Sequence, residues 1–512
     1  MVSFLLYVLA ISTAGCGGSG GKHGTGTHGV IWSDGTWLRD RQGRVIILHG
    51  INVSDAAKHP PYMDFTATAL TGDALEQDLE KNFARISGLG LDAVRLIVVW
   101  AGLEPTPGVI DPGYLGMIRQ EVQACADNGL FVLIDMHQDL YGMPFCGGEG
   151  APQWASYMTG FSPSQCSQIW AVNYAIPQVR QSFQDLWDDR PAPDGTGLQE
   201  HYASAFQTLA RAFSGTANVL AYEIMNEPFP GNYSLAAPDF ETQALVPFYG
   251  KVIKAIRAVD PGHVVAFEPS VALTNLLNDY NTAISTTTFT GGFPDLMFVP
   301  HFYPLSADPS YGTDTAIIIP SFDQIKNDGI AMKTPCAVDE MGTGYDVPDS
   351  ARYMVTVFND FDAFNAGWFD WDYNVANDDD MSPYYPDGTP RYLTDKNGTP
   401  AFPGIDVISR PYPLLTAGTP VSISYPVTAD PSTFTTTTFT YTYKEDGIGT
   451  GTTEIFVPPL HFPNGFTVTV SDGAVDFNAT THLLGYTRGP RSSHTITMVP
   501  CGPGDTNCVD DR

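Results

Sequence analysis

From about residue 40, apolar runs of strand length alternate with segments in which apolar residues recur at helical spacing. Eight such runs precede residue 380, at 44–50, 93–100, 130–137, 219–225, 263–267, 296–301, 336–339 and 368–371. The segments between them place apolar residues on one helix face, as in the series Leu75, Leu79, Phe83, Ile86 and Leu89. Eight strands with intervening helices fit a (β/α)8 barrel better than a doubly wound sheet. The sequence therefore predicts an α/β fold built on a TIM barrel over residues 40–411.

The composition changes after residues 410–413, where Thr, Val, Ser and Pro become frequent. Aromatic or aliphatic residues then alternate with Thr in 439–443 and 466–470. This period of two is typical of β-strands, and a length of about 90 residues suits a small sandwich. We therefore predict a C-terminal β-sandwich over 412–500, followed by a tail over 501–512.

The N-terminus has the pattern of an export signal. Residues 4–11 are apolar, and small residues follow up to Cys16. Residues 13–16 resemble a bacterial lipobox, in which the thiol after the cleavage point is lipidated. We expect a signal peptide over 1–16, lipidation of Cys16, a Gly-rich linker over 17–39, and a periplasmic, cell-surface or extracellular location; secretion without a lipid remains the alternative. No run of about 18 apolar residues occurs, so no membrane-spanning helix is expected.

The charge balance excludes one class of partner. Among 512 residues, 25 Lys and Arg stand against 56 Asp and Glu, which gives a formal net charge of −31. Proteins that hold nucleic acid through its phosphates need a basic face, so no nucleic-acid partner is expected. An anionic polymer is equally disfavoured as a substrate. The sequence contains no nucleotide or flavin signature, so we expect no cofactor, and the chain is expected to act as a monomer.

Six cysteines remain besides Cys16. Export permits disulfides, and two local pairs are plausible because each flanks a loop rich in Gly and Pro: Cys146 with Cys166, and Cys501 with Cys508. Cys125 follows apolar residues at helical spacing and Cys336 lies on a predicted strand, so both are expected to be buried free thiols. No CxxC or Cys/His cluster occurs, so no metal site is expected.

Two glutamates end predicted strands and carry the chemistry. Asn226-Glu227-Pro228 ends the fourth strand, and Glu340 ends the seventh. Reactive groups of a TIM barrel lie at the carboxyl ends of its strands, and these two strands face each other across the mouth. Glu227 and Glu340 are therefore expected to flank one reacting centre. Retaining glycoside hydrolysis needs such a pair, about 5–5.5 Å apart.

Motifs at other strand ends carry a family resemblance. They are residues 50–54 with Lys58, 94–96, 104–109, 135–139, 150–155, 300–304, Trp371, 411–413 and 417–420. Together they resemble clan A glycoside hydrolases of family 5, and within them the endoglycoceramidase-like group, over nearly all of residues 40–500. The resemblance implies a retaining hydrolase that cuts the β-linkage between a glycan and ceramide by double displacement.

The resemblance also implies a role for each catalytic side chain. Glu227 would be the acid/base and Glu340 the nucleophile. Asn226 would donate a hydrogen bond to the sugar 2-hydroxyl. Arg95 and Tyr303 would keep Glu340 ionised, because a neighbouring cation or donor lowers a carboxyl pKa. A less hydrated site beside the charge of Glu340 would keep Glu227 protonated, as a general acid requires.

Further substrate contacts are implied for Lys58, His137, Asp139, Trp154, His301 and Trp371. Lys58 and Asp139 match positions that bind the sugar before the cleaved bond, and the ring of Trp154 would stack on its apolar face. His137 and His301 would hydrogen-bond the substrate or the catalytic carboxyls.

Two residues need separate treatment. Glu268 also ends a strand, but it lacks a preceding Asn and lies on the fifth strand, so it is expected to form part of the site wall. Met341 stands where the family usually has an aromatic residue after the nucleophile, which alters the packing near the sugar ring.

Three interpretations of the whole chain remain open. The first is hydrolysis of glycosphingolipids taken from a membrane or micelle. The second keeps the chemistry and changes the aglycone, as in a β-glucosidase, a steryl-glucosidase or a β-glucanase. The third is a surface lipoprotein that binds glycans without cleaving them, and the presence of both glutamates argues against it.

Overall fold

The computed structural model describes residues 31–66, 68–235, 239–271, 282–286, 292–303, 315–344, 350–376, 382–385, 388–391, 404–427 and 437–509. The predicted signal peptide, Cys16 and the linker up to residue 30 lie outside the described residues. The strands are β1 (Trp32–Ser33), β2 (Leu38–Arg39), β3 (Val45–Ile46), β4 (His49–Val53), β5 (Ala93–Val99), β6 (Phe131–His137), β7 (Val219–Glu223), β8 (Val264–Phe267), β9 (Leu296–Phe298), β10 (Ala337–Met341), β11 (Gly367–Tyr373), β12 (Tyr412–Thr416), β13 (Thr419–Ser424), β14 (Phe439–Lys444), β15 (Thr453–Phe456), β16 (Phe466–Val470), β17 (Ala474–Asn478), β18 (Leu483–Thr487) and β19 (Ser493–Pro500).

The helices are α1 (Asp73–Gly88), α2 (Trp100–Leu103), α3 (Pro112–Asp127), α4 (Pro177–Trp187), α5 (Leu198–Phe213), α6 (Val246–Arg257), α7 (Thr315–Met332), α8 (Ser350–Phe364) and α9 (Gly404–Ile408). Shorter 3-10 helices cover Asp55–Lys58, Gln153–Ala155, Pro163–Gln165, Trp170–Ala175 and Ala283–Thr286, and a π-helical turn covers Glu241–Leu245. Across the part of the chain that the structure describes, every helix falls short of the length and apolar character that a membrane crossing requires.

Strands β4 to β11 form one parallel sheet in the order β10-β11-β4-β5-β6-β7-β8-β9. The sheet closes between its two ends, because the backbone N–H of Phe298 bonds the carbonyl of Pro335 at 2.9 Å and that of Phe302 bonds Glu340 at 2.8 Å. Its strands are buried almost throughout, as the continuous apolar runs indicated. The predicted TIM barrel is confirmed.

The predicted first strand was wrong in its position. The apolar run at 44–50 is divided between β3, which pairs with strands outside the barrel, and β4, the first strand of the barrel. A continuous apolar run contains no signal for the point at which the chain leaves one sheet and enters another. The predicted linker is also corrected, because β1 and β2 lie within it and Leu38 is buried.

Two antiparallel sheets complete the molecule, in the orders β1-β2-β3-β12-β15-β18-β17 and β13-β14-β19-β16. A C-terminal β region was therefore predicted correctly, but three N-terminal strands join it. It contacts the amino-terminal end of the barrel strands, where the Tyr412 ring stacks on His49 with centroids 3.6 Å apart. The opposite end of the barrel, where strands β4 to β11 have their carboxyl ends, carries the catalytic loops.

Both proposed cysteine pairs are joined. Cys146 bonds Cys166 across a sequence separation of 20, and Cys501 bonds Cys508 across a separation of 7. Cys125 is a buried free thiol on α3, as expected. Cys336 is free but only half-buried, because it lies just before β10 rather than within the strand.

Candidate active site

The two predicted catalytic carboxyls meet at the carboxyl end of the barrel. Glu227 follows β7, and Glu340 lies in β10. One carboxylate oxygen of each and a ring nitrogen of His301 all lie within 4.8 Å of one another. Both side chains keep slight exposure, 16% for Glu227 and 10% for Glu340. This separation matches a retaining pair of about 5–5.5 Å and is too short for an inverting pair of about 6.5–9.5 Å.

The backbone of Glu227 is held in an uncommon conformation. Its φ of 41° lies in the left-handed region, where a residue with a side chain is strained. Glu268 at the end of β8 accepts its backbone N–H at 2.8 Å. The Gln138 amide donates to the carbonyls of Asn226 and Glu227, both at 3.0 Å. These three hydrogen bonds fix the turn that aims Glu227 at Glu340.

Arg95 on β5 organises the floor of the site. Its guanidinium is fully buried and binds Glu223 through two hydrogen bonds of 2.7 and 2.8 Å. It also donates to the amide oxygens of Asn226 at 2.7 Å and Asn52 at 3.0 Å, and to Glu340 at 3.1 Å. One cation thus orients the predicted nucleophile and the predicted sugar-binding amide. Asn226 donates one amide hydrogen to the carbonyl of Gln138, so its second amide hydrogen is available to a sugar.

Arg95 also neighbours more carboxyl groups than one positive charge can neutralise. Asp135 lies 3.0 Å and Asp339 3.4 Å from the guanidinium. Burial opposes ionisation, yet Arg95 lowers the pKa of Glu223 to about 2. Burial and the charge of Glu223 raise the pKa of Asp339 well above its usual value, and the two side chains are hydrogen-bonded. Asp339 therefore keeps its proton and donates it to the ionised Glu223.

The direction of the pKa shift of Glu340 differs from the prediction. Its expected contacts are present, because Arg95 donates to it and the Tyr303 hydroxyl is hydrogen-bonded to it. Burial nevertheless raises the pKa of Glu340, although Arg95 opposes the shift. The expected lowering was therefore wrong in its net direction. A sequence indicates the neighbouring cation but gives no measure of how completely the carboxyl is removed from water.

His301 lies between the two catalytic carboxyls. Its Nδ1 is 2.9 Å from Glu227, and its Nε2 is 3.3 Å from Glu268 and 3.5 Å from Glu340. Burial lowers the pKa of His301 to about 4, so the ring is neutral near pH 7. A neutral imidazole donates from only one nitrogen, which restricts the hydrogen-bond pattern of the pair.

A second group of polar side chains lies beside the carboxyl pair, and we call it the polar cluster: Lys58, His137, Asp139, Glu149 and Trp371. Lys58 Nζ lies 2.9 Å from Asp139, 3.0 Å from Glu149 and 4.7 Å from the centroid of the Trp371 ring. The His137 and Trp371 rings are stacked, with centroids 6.0 Å apart. A charged ammonium, two carboxyls and an aromatic face are what a sugar ring with several hydroxyls requires.

The ionisation of the polar cluster follows from these contacts. Burial opposes the charge of Lys58, but Asp139 and Glu149 raise its pKa well above its usual value. His137 is buried as well, yet Asp135 at 2.6 Å raises its pKa to about 9. Burial raises the pKa of Glu149, which is hydrogen-bonded to Asp139. The cluster therefore presents two cations, the carboxylate of Asp139 and a protonated Glu149.

Trp154 packs against other aromatic side chains. Its indole N–H donates to the carbonyl of Glu104 at 3.2 Å. Its ring contacts those of Trp100 and His201, with centroids 5.4 and 4.9 Å away. Among the contacts described for this ring, none is to the polar cluster, whose aromatic face is that of Trp371.

Sequence reasoning missed five residues of the site: Asn52, Asp135, Glu149, Glu223 and Asp339. Three of them are acidic residues inside otherwise apolar strands, a signal that marks a buried partner of opposite charge. Glu149 lies in a Gly-rich loop and carried no such signal. Glu268 was predicted as a wall residue, and it lies against Glu227 and His301.

The sequence matches two family models. One is described as "Cellulase (glycosyl hydrolase family 5)" and covers residues 58–377. The other is described as "Glycoside hydrolase family 5 C-terminal domain" and covers residues 410–498. Endoglycoceramidase I of Rhodococcus hoagii is 28% identical over 465 residues, which are 87% of this chain and 83% of the relative. An endoglycoceramidase of Cyanea nozakii is 30% identical over 257 residues, 45% of this chain and 49% of the relative.

Solved structures are similar over nearly the whole chain. Endo-glycoceramidase II from Rhodococcus sp., solved with ganglioside GM3 and as a lactosyl-enzyme intermediate, is 29% identical with a TM-score of 0.71, covering 91% of this chain and 100% of that one. A Cryptococcus neoformans sterylglucosidase shares the fold, with a TM-score of 0.73 at 17% identity over 92% of this chain and 97% of that one. With the first family model covering most of the barrel, the chain belongs to glycoside hydrolase family 5 and is a glycosidase.

Proposed function

We propose that this glycosidase cleaves the β-glycosidic bond between the glycan and the ceramide of glycosphingolipids, with retention of configuration. The observation that carries the proposal is the approach of Glu227 and Glu340 to within 4.8 Å beside a polar cluster that fits a sugar. The names and bound ligands of the endoglycoceramidase relatives support the choice of substrate.

The contacts of the two carboxyls support a division of roles. Glu340 faces the guanidinium of Arg95 at 3.1 Å, which stabilises its ionised form. Glu227 faces the neutral ring of His301, whose Nδ1 lies 2.9 Å from its carboxyl group. Glu340 is therefore assigned as the nucleophile and Glu227 as the acid/base.

The reaction then takes two balanced steps. In the first, Glu340 attacks the anomeric carbon, the bond to the ceramide oxygen breaks, and Glu227 gives its proton to that oxygen. In the second, Glu227 removes a proton from water, the water oxygen bonds the anomeric carbon, and the bond to Glu340 breaks. Asn226, oriented by Arg95, donates its available amide hydrogen to the sugar 2-hydroxyl, a contact that strengthens in the transition state.

The polar cluster is assigned to the sugar that precedes the cleaved bond. Lys58 and His137 supply charged donors, Asp139 accepts, and the face of Trp371 covers the apolar side of the ring. Charged hydrogen bonds of this kind are roughly twice as strong as neutral ones. We therefore expect the enzyme to bind the glycan more tightly than the lipid.

Export and lipidation of Cys16 are part of the same proposal. A chain held at the cell surface by a lipid, through the Gly-rich linker up to residue 30, would meet its substrate in membranes or micelles. We propose that it acts there as a monomer.

The proposal is tested by offering lactosylceramide in detergent micelles, and an aryl β-cellobioside in solution, to the unsubstituted enzyme and to Glu340→Gln. The unsubstituted enzyme should release intact lactose, and Glu340→Gln should not. If only the soluble glycoside were cleaved, the natural substrate would carry an aglycone other than ceramide, as for a β-glucosidase or steryl-glucosidase. Inactivity on both substrates would favour a glycan-binding protein.

A further inference from the structure

The loop between β6 and α4 contains a long stretch without charge. Residues 150–179 include no Asp, Glu, Lys, Arg or His, although 16% of the whole chain is charged. The loop leaves the carboxyl end of the third barrel strand, so it lies on the same face as the catalytic carboxyls. An uncharged surface loop is unusual in a chain with a net charge of −31.

Three large apolar side chains project close together from this loop, and we call them the apolar ridge: Ile169, Trp170 and Val172. Their exposed fractions are 67%, 43% and 50%. Large side chains scattered singly over a surface need no explanation, but three within four residues of an uncharged loop form a patch. Trp is also the side chain that prefers the boundary between water and lipid.

The apolar ridge is built on a fixed turn. Asn173 is buried, its amide oxygen accepts the N–H of Ser167 at 2.7 Å, and its amide nitrogen donates to the carbonyl of Ser167 at 3.2 Å. The Cys146–Cys166 disulfide ties down the chain immediately before this turn. The ridge is therefore presented by a closed turn rather than by a free loop.

The same 3-10 helix reaches the sugar site. Tyr174, two residues after Val172, is buried, and its hydroxyl donates to Asp139 of the polar cluster at 3.3 Å. The Tyr174 hydroxyl also accepts the N–H of Leu140 at 3.2 Å. The exposed ridge and the tyrosine that contacts this sugar-binding carboxylate therefore belong to the same short segment of chain.

We propose that the apolar ridge inserts into the surface of a neutral, zwitterionic lipid bilayer and so places the sugar site against the membrane. The occupant is uncharged lipid because the ridge and its loop lack cations, and the strongly negative chain gains nothing from an anionic surface. A protein partner is a poorer fit, since a stable interface buries about 800 Å² per partner, more than three side chains offer. This inference rests on the proposed function for its purpose, because a lipid substrate gives membrane docking a use.

The test measures binding to phosphatidylcholine vesicles that contain no glycolipid, by co-sedimentation. The ridge variant is Ile169→Ser, Trp170→Ser and Val172→Ser. The control replaces three side chains of similar exposure in the C-terminal β region, with Val421→Ser, Ile448→Ser and Val499→Ser; these are 43%, 45% and 43% exposed. All full-length proteins, including the reference, carry Cys16→Ser so that an attached lipid does not contribute.

The ridge variant should bind vesicles at least tenfold more weakly than the reference, while the control binds like the reference. Vesicles enriched in phosphatidylserine should bind the reference no better than neutral vesicles. The ridge variant should keep the activity of the reference on a soluble aryl β-glycoside.

Three results would overturn the inference: no binding of the reference to neutral vesicles, equal binding by the ridge variant, or a loss of activity by the ridge variant on the soluble substrate. The last result would make the ridge part of the sugar site. The vesicle measurement uses no glycolipid, and the micelle assay uses no bilayer. Failure of membrane docking is therefore distinguishable from failure of the proposed function.

Discussion

The carboxyl group of Glu268 holds the backbone N–H of Glu227 at a distance of 2.8 Å. Burial and the charge of Glu223 raise the pKa of Glu268 well above its usual value. Its other neighbour is His301, whose Nε2 lies 3.3 Å away. The residue that follows strand β8 therefore holds the backbone of the acid/base and lies beside the ring that contacts it.

Removing the Glu268 carboxyl is expected to misplace Glu227. Glu268→Ala leaves the N–H of Glu227 without its acceptor while φ stays in the left-handed region. A lost buried hydrogen bond is worth about 1–3 kcal/mol, so kcat should fall about 10- to 100-fold. Glu268→Gln keeps an acceptor of the same shape and should retain most of the activity. Equal losses in the two variants would show that the Glu268 carboxyl acts by more than holding the backbone.

The assignment of Glu227 as the acid/base predicts that Glu227→Ala depends on the leaving group. Protonation matters for the ceramide alkoxide, a poor leaving group, and hardly at all for dinitrophenolate. General acid catalysis contributes about 10²- to 10⁴-fold, so Glu227→Ala should lose that factor on lactosylceramide and much less in bond cleavage on a dinitrophenyl lactoside. Measurement of the pre-steady-state burst of dinitrophenolate separates this step from the second. Equal losses on both substrates would reverse the assignment.

The sequence predicted the catalytic pair because its residues stand at recognisable places, the ends of apolar strands. Glu227 and Glu340 are 113 positions apart in the chain, yet barrel topology alone brings strand ends to one face. The family resemblance, rather than barrel topology alone, placed Arg95 and His301 near them. The order of the strands brings these residues together, and the alternation of strands and helices in the sequence determines that order.

The protonation pattern of the buried carboxyls and the place of Glu149 in the site could not be predicted from the sequence, for a physical reason. Whether Asp339 or Glu223 carries the proton depends on distances to Arg95 within one buried network, and local patterns contain no such distances. Glu149 reaches Lys58 because its loop folds back and pairs with Asp139 through two backbone hydrogen bonds. Nothing in the sequence indicated that the ring of Trp154 contacts that of Trp100, and the stacking of Trp154 on a sugar stays a prediction.

Lys58 is expected to be required for both activity and stability, and a second substitution should separate the two effects. Lys58→Met removes the nearer of the two cations beside Asp139 and leaves only the His137 ring, 3.6 Å away; breaking a buried ion pair costs about 3–5 kcal/mol. The double variant Lys58→Met with Asp139→Asn removes the uncompensated charge, so its Tm should recover toward that of the unsubstituted enzyme. Its kcat/KM should stay at least about tenfold low, because the sugar contacts are still missing.

The control for this pair is Asp139→Asn alone, which keeps the cation. Thermal unfolding and kcat/KM are measured for all four proteins. Recovery of activity together with Tm in the double variant would mean that the pair supports the fold and does not bind the sugar.

Stability should fall with rising pH because of Asp92. Asp92 is buried beside His49, whose N–H it accepts at 2.9 Å, and burial raises its pKa from 3.8 to about 8. The folded chain therefore holds a proton that the unfolded chain releases above pH 3.8, so the contribution of this group to stability is lost as the pH rises to about 8. Asp92→Asn cannot ionise and keeps the acceptor oxygen. The difference in Tm, Asp92→Asn minus the unsubstituted enzyme, should be larger near pH 8 than near pH 5. The same difference at both pH values would contradict the raised pKa of Asp92.

The Cys146–Cys166 disulfide should stabilise the loop that carries the apolar ridge. It closes a loop with a sequence separation of 20, and the loss of chain entropy in the unfolded state predicts a contribution of about 3 kcal/mol. Cys146→Ser with Cys166→Ser should lower the free energy of unfolding in urea by that amount. It should also expose the segment around Ile169 to proteolysis before the barrel unfolds.

The matched control is Cys501→Ser with Cys508→Ser, whose separation of 7 predicts a smaller loss of about 2 kcal/mol and no change in cleavage near Ile169. Equal proteolysis in the two variants would mean that the Ser167–Asn173 hydrogen bonds, and not the disulfide, hold the ridge in place.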